Sequence, residues 1–210
     1  MKKLMKQSPV MAILRHTPDN DLEDYVNSLY QGGLRSFEVS FSTKNAVSQL
    51  KWMKQHMPND AYVGAGTILT EKEASIAMEA GADFLLSPSA NLEVLQYCEK
   101  NKIPFLPGVF SPSDVSICLT YGFNTLKLFP AATLPIDYKN NLSGPFPGTE
   151  YVAVGGISPQ NAAEYLKAGF VGLGIGSSLV DKHLFQEKNW SQIALEIQSF
   201  LDTLRKDGLL

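Results

Sequence analysis

Eight short apolar segments, separated by amphipathic stretches, are the feature of this sequence that most restricts its fold. They recur at intervals of roughly 20–26 residues, the length of a strand plus a crossover helix. Such regular alternation is typical of an α/β protein with a parallel sheet. The predicted strands span 10–14, 36–40, 62–65, 84–87, 104–106, 125–129, 151–154 and 172–175.

Helix-capping residues stand in the stretches between these segments. Thr70 has capping-box spacing, with a glutamate three residues later, and Asn91 and Ser111 also precede helical patterns. Thr43 and Ser158 predict two further helix starts. The intervening stretches are therefore predicted to be crossover helices.

Eight strands alternating with helices predict an α/β fold, a single-domain (β/α)8 TIM barrel over residues 1–210. A doubly wound open sheet is the alternative, but it usually carries a glycine-rich loop after its first strand. Here Arg15-His16-Thr17 follows the first strand, and glycines cluster after the seventh and eighth. A short N-terminal extension precedes the barrel, and residues 190–204 predict a terminal amphipathic helix.

Composition narrows the classes of partner. The formal net charge is -3 and no basic stretch follows the first few residues, which argues against nucleic acid. No segment approaches membrane-spanning length, and the apolar run 10–14 is too short for a signal peptide. The two cysteines, Cys98 and Cys118, are predicted to be buried free thiols of a cytoplasmic protein. The three histidines lie far apart, so no metal site is expected.

Two charged residues interrupt otherwise apolar strands. Lys127 lies in the sixth predicted strand and Glu38 in the second. Burial favours the neutral amine of a lysine, which is a nucleophile toward carbonyl groups. A buried lysine with a buried carboxylate predicts Schiff-base chemistry with a proton shuttle. The alternative is a lysine on an edge strand that points to solvent.

Two further polar residues follow predicted strands, at the end where barrel enzymes hold their chemistry. Arg15 follows the first strand, and its guanidinium suits a carboxylate or a phosphate. A structural salt bridge between Arg15 and Glu38 is the alternative. Thr67 follows the third strand, where its hydroxyl can donate to a substrate carboxylate or cap the next turn. His16 is assigned no role.

Glycine-rich turns follow the seventh and eighth strands. Gly155-Gly156 leads toward a predicted helix, and Gly176-Ser177 ends the last strand. Glycines let backbone N–H groups approach an anion closely, and a phosphate site at these two loops recurs in barrels. The sequence therefore predicts phosphate binding at these turns. The alternative is that the glycines serve tight turns only.

An ordered set of motifs resembles the family of 2-keto-3-deoxy-6-phosphogluconate (KDPG) aldolases. This family of class I pyruvate aldolases also contains the 6-phosphogalactonate and 4-hydroxy-2-oxoglutarate enzymes. The resemblance extends from Ala12 to Val180. The motifs are Glu38-Val39-Ser40-Phe41, Gly64-Ala65-Gly66-Thr67, Ser87-Pro88, Pro107-Gly108, Leu126-Lys127-Leu128-Phe129-Pro130-Ala131, Gly144-Pro145-Phe146-Pro147 and Val154-Gly155-Gly156-Ile157-Ser158.

The resemblance implies an aldolase that needs no cofactor or metal and acts on a small phosphorylated keto acid. It also implies a homotrimer. In the implied site, Lys127 forms the Schiff base and Glu38 is the general acid and base. Further implied roles are carboxylate binding by Arg15 and Thr67, phosphate binding by Gly155, Gly156, Gly176 and Ser177, and pocket lining by Pro88, Phe129 and Val154.

The sequence departs from the family pattern at two positions. Many relatives carry an arginine where this chain has Ser42, and Arg15 is the arginine that other relatives use instead. Val154 replaces a threonine common in phosphogluconate enzymes and looks more like the phosphogalactonate type. Two other functions stay open: a phosphate-binding barrel isomerase or epimerase, and a barrel that binds ligand without turnover.

Overall fold

The computed structural model describes all 210 residues, and its strands form a single sheet. Every strand pair is parallel. The strands are β1 (Val10–Leu14), β2 (Ser36–Ser40), β3 (Tyr62–Gly66), β4 (Leu85–Leu86), β5 (Phe105–Leu106), β6 (Gly108–Val109), β7 (Thr125–Leu128), β8 (Glu150–Val154) and β9 (Gly172–Ile175).

Ten α-helices accompany the strands, and most of them connect one strand to the next. A 3-10 turn, Ala131–Thr133, follows β7. No helix combines the length and the apolar content needed to cross a membrane. The helices are α1 (Lys2–Gln7), α2 (Asp19–Gln31), α3 (Ala46–His56), α4 (Glu71–Glu79), α5 (Leu92–Lys100), α6 (Pro112–Thr120), α7 (Tyr138–Ser143), α8 (Ala162–Lys167), α9 (Lys182–Gln186) and α10 (Trp190–Lys206).

The sheet closes almost completely into the predicted (β/α)8 barrel, with one difference. Nine strands are present instead of eight, because Pro107 separates β5 from β6. Proline has no N–H to donate to a ladder, so it interrupts a strand at that point. β5 pairs with β4, and β6 pairs with β7. The two short strands thus occupy the place of one barrel strand.

Side chains alternate between the inside of the barrel and its helical coat. On β2, Phe37 and Val39 pack into the large outer core between sheet and helices. Residues of the opposite parity, Ser36, Glu38 and Ser40, face the interior and are all buried. The interior also contains a separate apolar cluster, formed by Met5, Met11, Phe84, Leu86, Leu106, Val152 and Val154.

Three predicted helix starts are confirmed by side-chain caps. Thr70 and Ser111 each form a capping box, which satisfies backbone N–H groups that a helix start leaves unpaired. Asn91 caps α5 by accepting a hydrogen bond from the N–H of Val94. These caps fix where three of the crossover helices begin.

The helix starts predicted at Thr43 and Ser158 are wrong. The helices begin later, with Asn45 and Asn161 at their N-caps. Thr43 instead donates its hydroxyl to the carbonyl of Ser40 at 3.0 Å, which closes a turn immediately after β2. The N–H of Ser158 donates to the side chain of Asn161 at 2.9 Å. The side chains of Thr43 and Asn161 thus stabilise the loops before these helices, and neither caps a helix N–H group.

Candidate active site

Lys127 lies on β7 with its side chain inside the barrel. Because β7 pairs with β6 on one side and β8 on the other, the alternative of a solvent-facing edge lysine is wrong. The residue is 5% exposed, and its Nζ lies 5.0 Å from the ring centroid of Phe129. Burial lowers the pKa of the Lys127 amine; Glu38 raises this pKa and Arg15 lowers it further. A lysine with a lowered pKa supplies neutral amine at lower pH.

Glu38 lies on β2 and is 1% exposed. Burial raises the pKa of its carboxyl, while the positive charges of Lys127 and Arg15 lower it. One carboxylate oxygen, Oε2, is buried without any hydrogen-bond partner. An unpaired buried carboxylate oxygen is costly and is therefore expected where a reacting group is to be bound.

Gly66 provides the space that the Glu38 side chain occupies. The two residues lie on adjacent strands, β3 and β2, and a Cβ added to Gly66 would overlap the Glu38 carboxylate. This glycine is required for close approach rather than for backbone freedom, because it lies within a regular strand. Any larger residue at position 66 would displace the Glu38 side chain.

Arg15 and Thr67 follow β1 and β3 at the same end of the barrel. Arg15 is exposed, and no ion pair joins it to Glu38, so the salt-bridge alternative is not found. Thr67 is half-buried and has a φ of 61°, a strained conformation for a β-branched residue. Its Oγ1 lies 3.0 Å from the Oγ of Ser40. It does not cap α4, because Thr70 does.

The two glycine-rich turns present free backbone donors. Gly155 and Gly156 have φ values of 91° and 76°, which glycine adopts without strain. The N–H groups of Gly155, Gly156, Gly176 and Ser177 donate no hydrogen bond within the protein. Ser178 donates its hydroxyl to the carbonyl of Ile157 at 2.6 Å and thereby links the two turns. Four unpaired N–H groups at adjoining turns are suited to an anion.

A cavity of about 720 Å³ opens among these residues. Seven of the predicted site residues line it: Arg15, Phe129, Val154, Gly155, Gly156, Gly176 and Ser177. The other four, Lys127, Glu38, Thr67 and Pro88, do not form its wall. Phe129 connects the two sets, because its ring lines the cavity and approaches the Lys127 amine. Pro88 packs against Gly108, the residue paired with Lys127 across the sheet.

The structure adds residues that the sequence analysis did not assign to the site. His16 and Lys182 line the cavity, and His16 has a φ of 58°. Ser40 and Gly66 contact Thr67 and Glu38. The alternation of β2 places Ser40 on the same face as Glu38, which was a usable sequence signal. Nothing in the sequence indicated Lys182.

A second cavity, of about 430 Å³, lies at the opposite end of the barrel. Its lining includes Met5 and Lys6 of α1, Arg35, and Arg205 and Leu210 at the end of the chain. None of the predicted site residues borders it. The candidate active site is therefore confined to the C-terminal ends of the strands, as in barrel enzymes generally.

Comparison with known proteins points to one family. The family model described as KDPG and KHG aldolase matches residues 1–195. A 2-dehydro-3-deoxy-phosphogluconate aldolase of Haemophilus influenzae is 29% identical over 96% of this chain and 93% of its own length. The crystal structure of a KDPG aldolase from Legionella pneumophila, with pyruvate captured as a covalent carbinolamine, is 31% identical with a TM-score of 0.87. That match covers 95% of this chain and 97% of the other.

A further solved structure belongs to the same group. The KDPG aldolase of Zymomonas mobilis, crystallised with 3-phosphoglycerate, is 27% identical with a TM-score of 0.82, over 94% of this chain and 93% of that one. Fold and comparisons together define a barrel enzyme of the aldehyde-lyase class. Within that class, the chain belongs to the family of KDPG and KHG aldolases.

Proposed function

We propose that this protein is a class I aldolase that cleaves a 2-keto-3-deoxy-6-phospho sugar acid to pyruvate and glyceraldehyde 3-phosphate. The observation that carries the proposal is the burial of Lys127 inside the same barrel as the buried carboxyl of Glu38. The family match and the named relatives favour this function over the isomerase and the non-catalytic barrel. A related activity toward 4-hydroxy-2-oxoglutarate belongs to the same proposal.

In the proposed mechanism the neutral amine of Lys127 attacks the C2 ketone and forms a carbinolamine. Glu38 transfers the protons needed for loss of water, which yields an iminium ion. Glu38 then takes the proton of the C4 hydroxyl, the C3–C4 bond breaks, and its electrons move to the iminium nitrogen. Glyceraldehyde 3-phosphate leaves. The remaining enamine takes a proton at C3, and water releases pyruvate from Lys127.

The two ends of this substrate are anionic, and the site offers separate donors for each. The Arg15 guanidinium and the Thr67 hydroxyl are proposed to bind the carboxylate next to the ketone. The unpaired N–H groups of Gly155, Gly156, Gly176 and Ser177 are proposed to bind the phosphate. The relative from Zymomonas mobilis was crystallised with 3-phosphoglycerate, a phosphorylated three-carbon acid.

The walls between these ends are proposed to contact the carbon chain of the substrate. Phe129 and Val154 line the cavity, and Pro88 packs against Gly108, the residue paired with Lys127 across the sheet. Both the gluconate and the galactonate configuration at C4 fit the proposed chemistry. Comparing kcat/KM for the two C4 epimers decides which one this enzyme prefers.

We further propose that the enzyme works as a homotrimer in the cytoplasm. Three large apolar side chains, Leu69, Leu92 and Phe110, are about half exposed in or next to the loops that follow β3, β4 and β6. An apolar rim of this kind fits contact with further copies of the chain. Leu92→Glu is expected to reduce the mass measured by light scattering from three chains to one. The free, buried cysteines suit a reducing compartment.

Sodium borohydride trapping with pyruvate tests the proposed chemistry directly. Reduction of the imine should add a pyruvyl group to Lys127, identified by peptide mass spectrometry. The variant Lys127→Ala is the control and should give no adduct. An adduct on another lysine, or none on the folded wild-type protein, would remove the nucleophile from the proposal.

A further inference from the structure

Three hydroxyl groups form a connected chain beside the catalytic strands. The Oγ of Ser40 lies 2.9 Å from the Oγ of Ser42 and 3.0 Å from the Oγ1 of Thr67. Ser40 is completely buried, Thr67 is half-buried, and Ser42 is exposed. The chain thus leads from solvent, through a buried serine, to the residue proposed to bind the substrate carboxylate.

The backbone around this chain is tightly held. Ser40 is paired with Gly66 across β2 and β3, and the N–H of Phe41 donates to the carbonyl of Gly66 at 2.8 Å. The carbonyl of Ser40 also accepts a hydrogen bond from the Thr43 hydroxyl at 3.0 Å. These contacts fix the Ser40 side chain next to Thr67, whose own backbone has a φ of 61°.

The number of protons on the three hydroxyls determines how the chain can be oriented. A hydroxyl donates only one hydrogen bond, whereas an ionised carboxylate only accepts. If Thr67 donates to Ser40, it has no proton left for the substrate. If Thr67 donates to the substrate carboxylate, Ser40 must donate to Thr67, and Ser42 must in turn donate to Ser40. Ser42 is exposed, so water can donate to it and complete the chain.

We propose that Ser40 is a positioning residue that orients the Thr67 hydroxyl toward the carboxylate of the keto acid. This inference rests on the proposed role of Thr67 in binding that carboxylate. Ser40 acts by donating a hydrogen bond to Thr67. The aligned chain of hydroxyl groups strengthens the hydrogen bond from Thr67 to the anion. Ser40 lies two residues after Glu38 on the same strand face, so one strand carries both the proton shuttle and this positioning residue.

The test is steady-state kinetics of the condensation of pyruvate with glyceraldehyde 3-phosphate. Pyruvate has the carboxylate but no phosphate, so its KM reports on the carboxylate end alone. Ser40→Ala is expected to raise the KM for pyruvate about 3- to 10-fold, the size typical of losing one hydrogen bond between neutral groups. The KM for glyceraldehyde 3-phosphate should stay unchanged, and kcat should change less than the KM for pyruvate.

Ser36→Ala is a matched control for Ser40→Ala. Ser36 lies on the same strand and the same interior face, is completely buried, and its Oγ has no hydrogen-bond partner. Ser36→Ala removes the same atom from the same kind of environment and should leave both KM values unchanged. If Ser40→Ala does not fold, Ser42→Ala at the exposed end of the chain is expected to raise the KM for pyruvate about 2-fold.

A double-mutant cycle separates this inference from the proposed function. In the Thr67→Val background, Ser40→Ala should have no further effect on the KM for pyruvate, because its only target is gone. Additive effects would overturn the positioning role. An effect of Thr67→Val with none of Ser40→Ala would overturn it as well while leaving the role of Thr67 intact. No effect of Thr67→Val would contradict the proposed role of Thr67 and therefore both.

Discussion

The two ends of the barrel interior are built from the same strands but differ in composition. At the base, α1 inserts Met5, which packs in an apolar cluster with Met11, Phe84 and Val152. At the mouth the buried side chains include the polar ones of Glu38, Ser40 and Lys127.

Glycines serve different purposes at the two ends. Loops at the mouth contain non-glycine residues with positive φ, His16 and Thr67, and the paired glycines Gly155 and Gly156. At the base, Gly172 has regular strand geometry and makes room for Met5, whose Sδ lies 2.7 Å from where a Cβ would stand. Within the barrel interior, apolar packing is concentrated at the base, and the buried charged groups are concentrated at the mouth, where the chemistry takes place.

The largest effect that would test this division is expected at Lys127. Lys127→Met and Lys127→Arg should both abolish turnover, because thioether and guanidinium are not nucleophiles toward a ketone. Lys127→Met should nevertheless be more stable than the wild type at pH 7, by about 1 kcal/mol, since it buries no amine. Steady-state assays and denaturant unfolding measure the two quantities.

The gain in stability has a definite pH dependence. The folded pKa of Lys127 is lowered, so the unfolded chain binds more protons between the folded and unfolded pKa values. Wild-type stability therefore rises with pH in that window, and the advantage of Lys127→Met should shrink there. Residual turnover in either variant, or a Lys127→Met protein less stable than the wild type, would contradict the prediction.

The second effect concerns the space beside Glu38. Gly66→Ala places a methyl group where the Glu38 carboxylate lies and should displace it. The expected result is a fall in kcat of roughly 10²–10⁴-fold, the usual contribution of a general acid and base. Adding Glu38→Gln should cause little further loss. Gly144→Ala is the control, because a Cβ there meets nothing nearer than 3.8 Å. Normal kcat in Gly66→Ala would show that Glu38 tolerates displacement.

The third effect concerns the base, where a substitution should lower stability and leave catalysis unchanged. Met5 is 1% exposed, so Met5→Ala should lower the free energy of unfolding by about 2–5 kcal/mol through the cavity it leaves. At a temperature where the variant stays folded, its kcat should equal that of the wild type. Lys3→Ala, at an exposed position of the same helix, should change neither quantity. A drop in kcat without loss of stability would link base and mouth more closely than the packing indicates.

The sequence alone was sufficient to predict the barrel and the charged residues within its strands. Apolar segments with regular spacing located the strands, and Glu38 and Lys127 were visible because charge is rare inside such segments. Thr70 and Ser111 were predictable as caps because a capping box is a local pattern. The break at Pro107 carried a local signal too, since proline is excluded from central strands.

What could not be predicted depends on contacts between distant parts of the chain. The closeness of Gly66 to Glu38, and of Ser40 to Thr67, follows from the register between β2 and β3, which no local pattern specifies. Lys182, the first residue of α9, reaches the cavity because of the path of the loop that precedes this helix, which depends on packing. Thr43 has the residue type of a helix cap but stabilises a turn, because side-chain hydrogen bonds serve both purposes.

The smallest effect tests whether the charges at the mouth act on one another. The measured quantity is the pH midpoint for the rate of borohydride-trapped adduct at saturating pyruvate, which follows the deprotonation of Lys127. Because burial lowers the pKa of Lys127, the wild-type midpoint should lie below the usual range of lysine. Glu38 raises that pKa, so Glu38→Gln should move the midpoint further down. Arg15 lowers it, so Arg15→Ala should move the midpoint up.

The opposite signs of these two shifts make the measurement decisive. A general disturbance of the site would move both midpoints in the same direction. Removing a negative charge in one variant and a positive charge in the other must instead move the two midpoints in opposite directions. Arg35→Ala is the matched control: Arg35 borders the cavity at the base, where it pairs with Asp60 at 2.9 Å. Its loss should leave the midpoint unchanged, because the charge lies at the far end of the barrel. A shift in Arg35→Ala equal to that in Arg15→Ala would mean that the field at Lys127 is set by the whole protein rather than by the mouth.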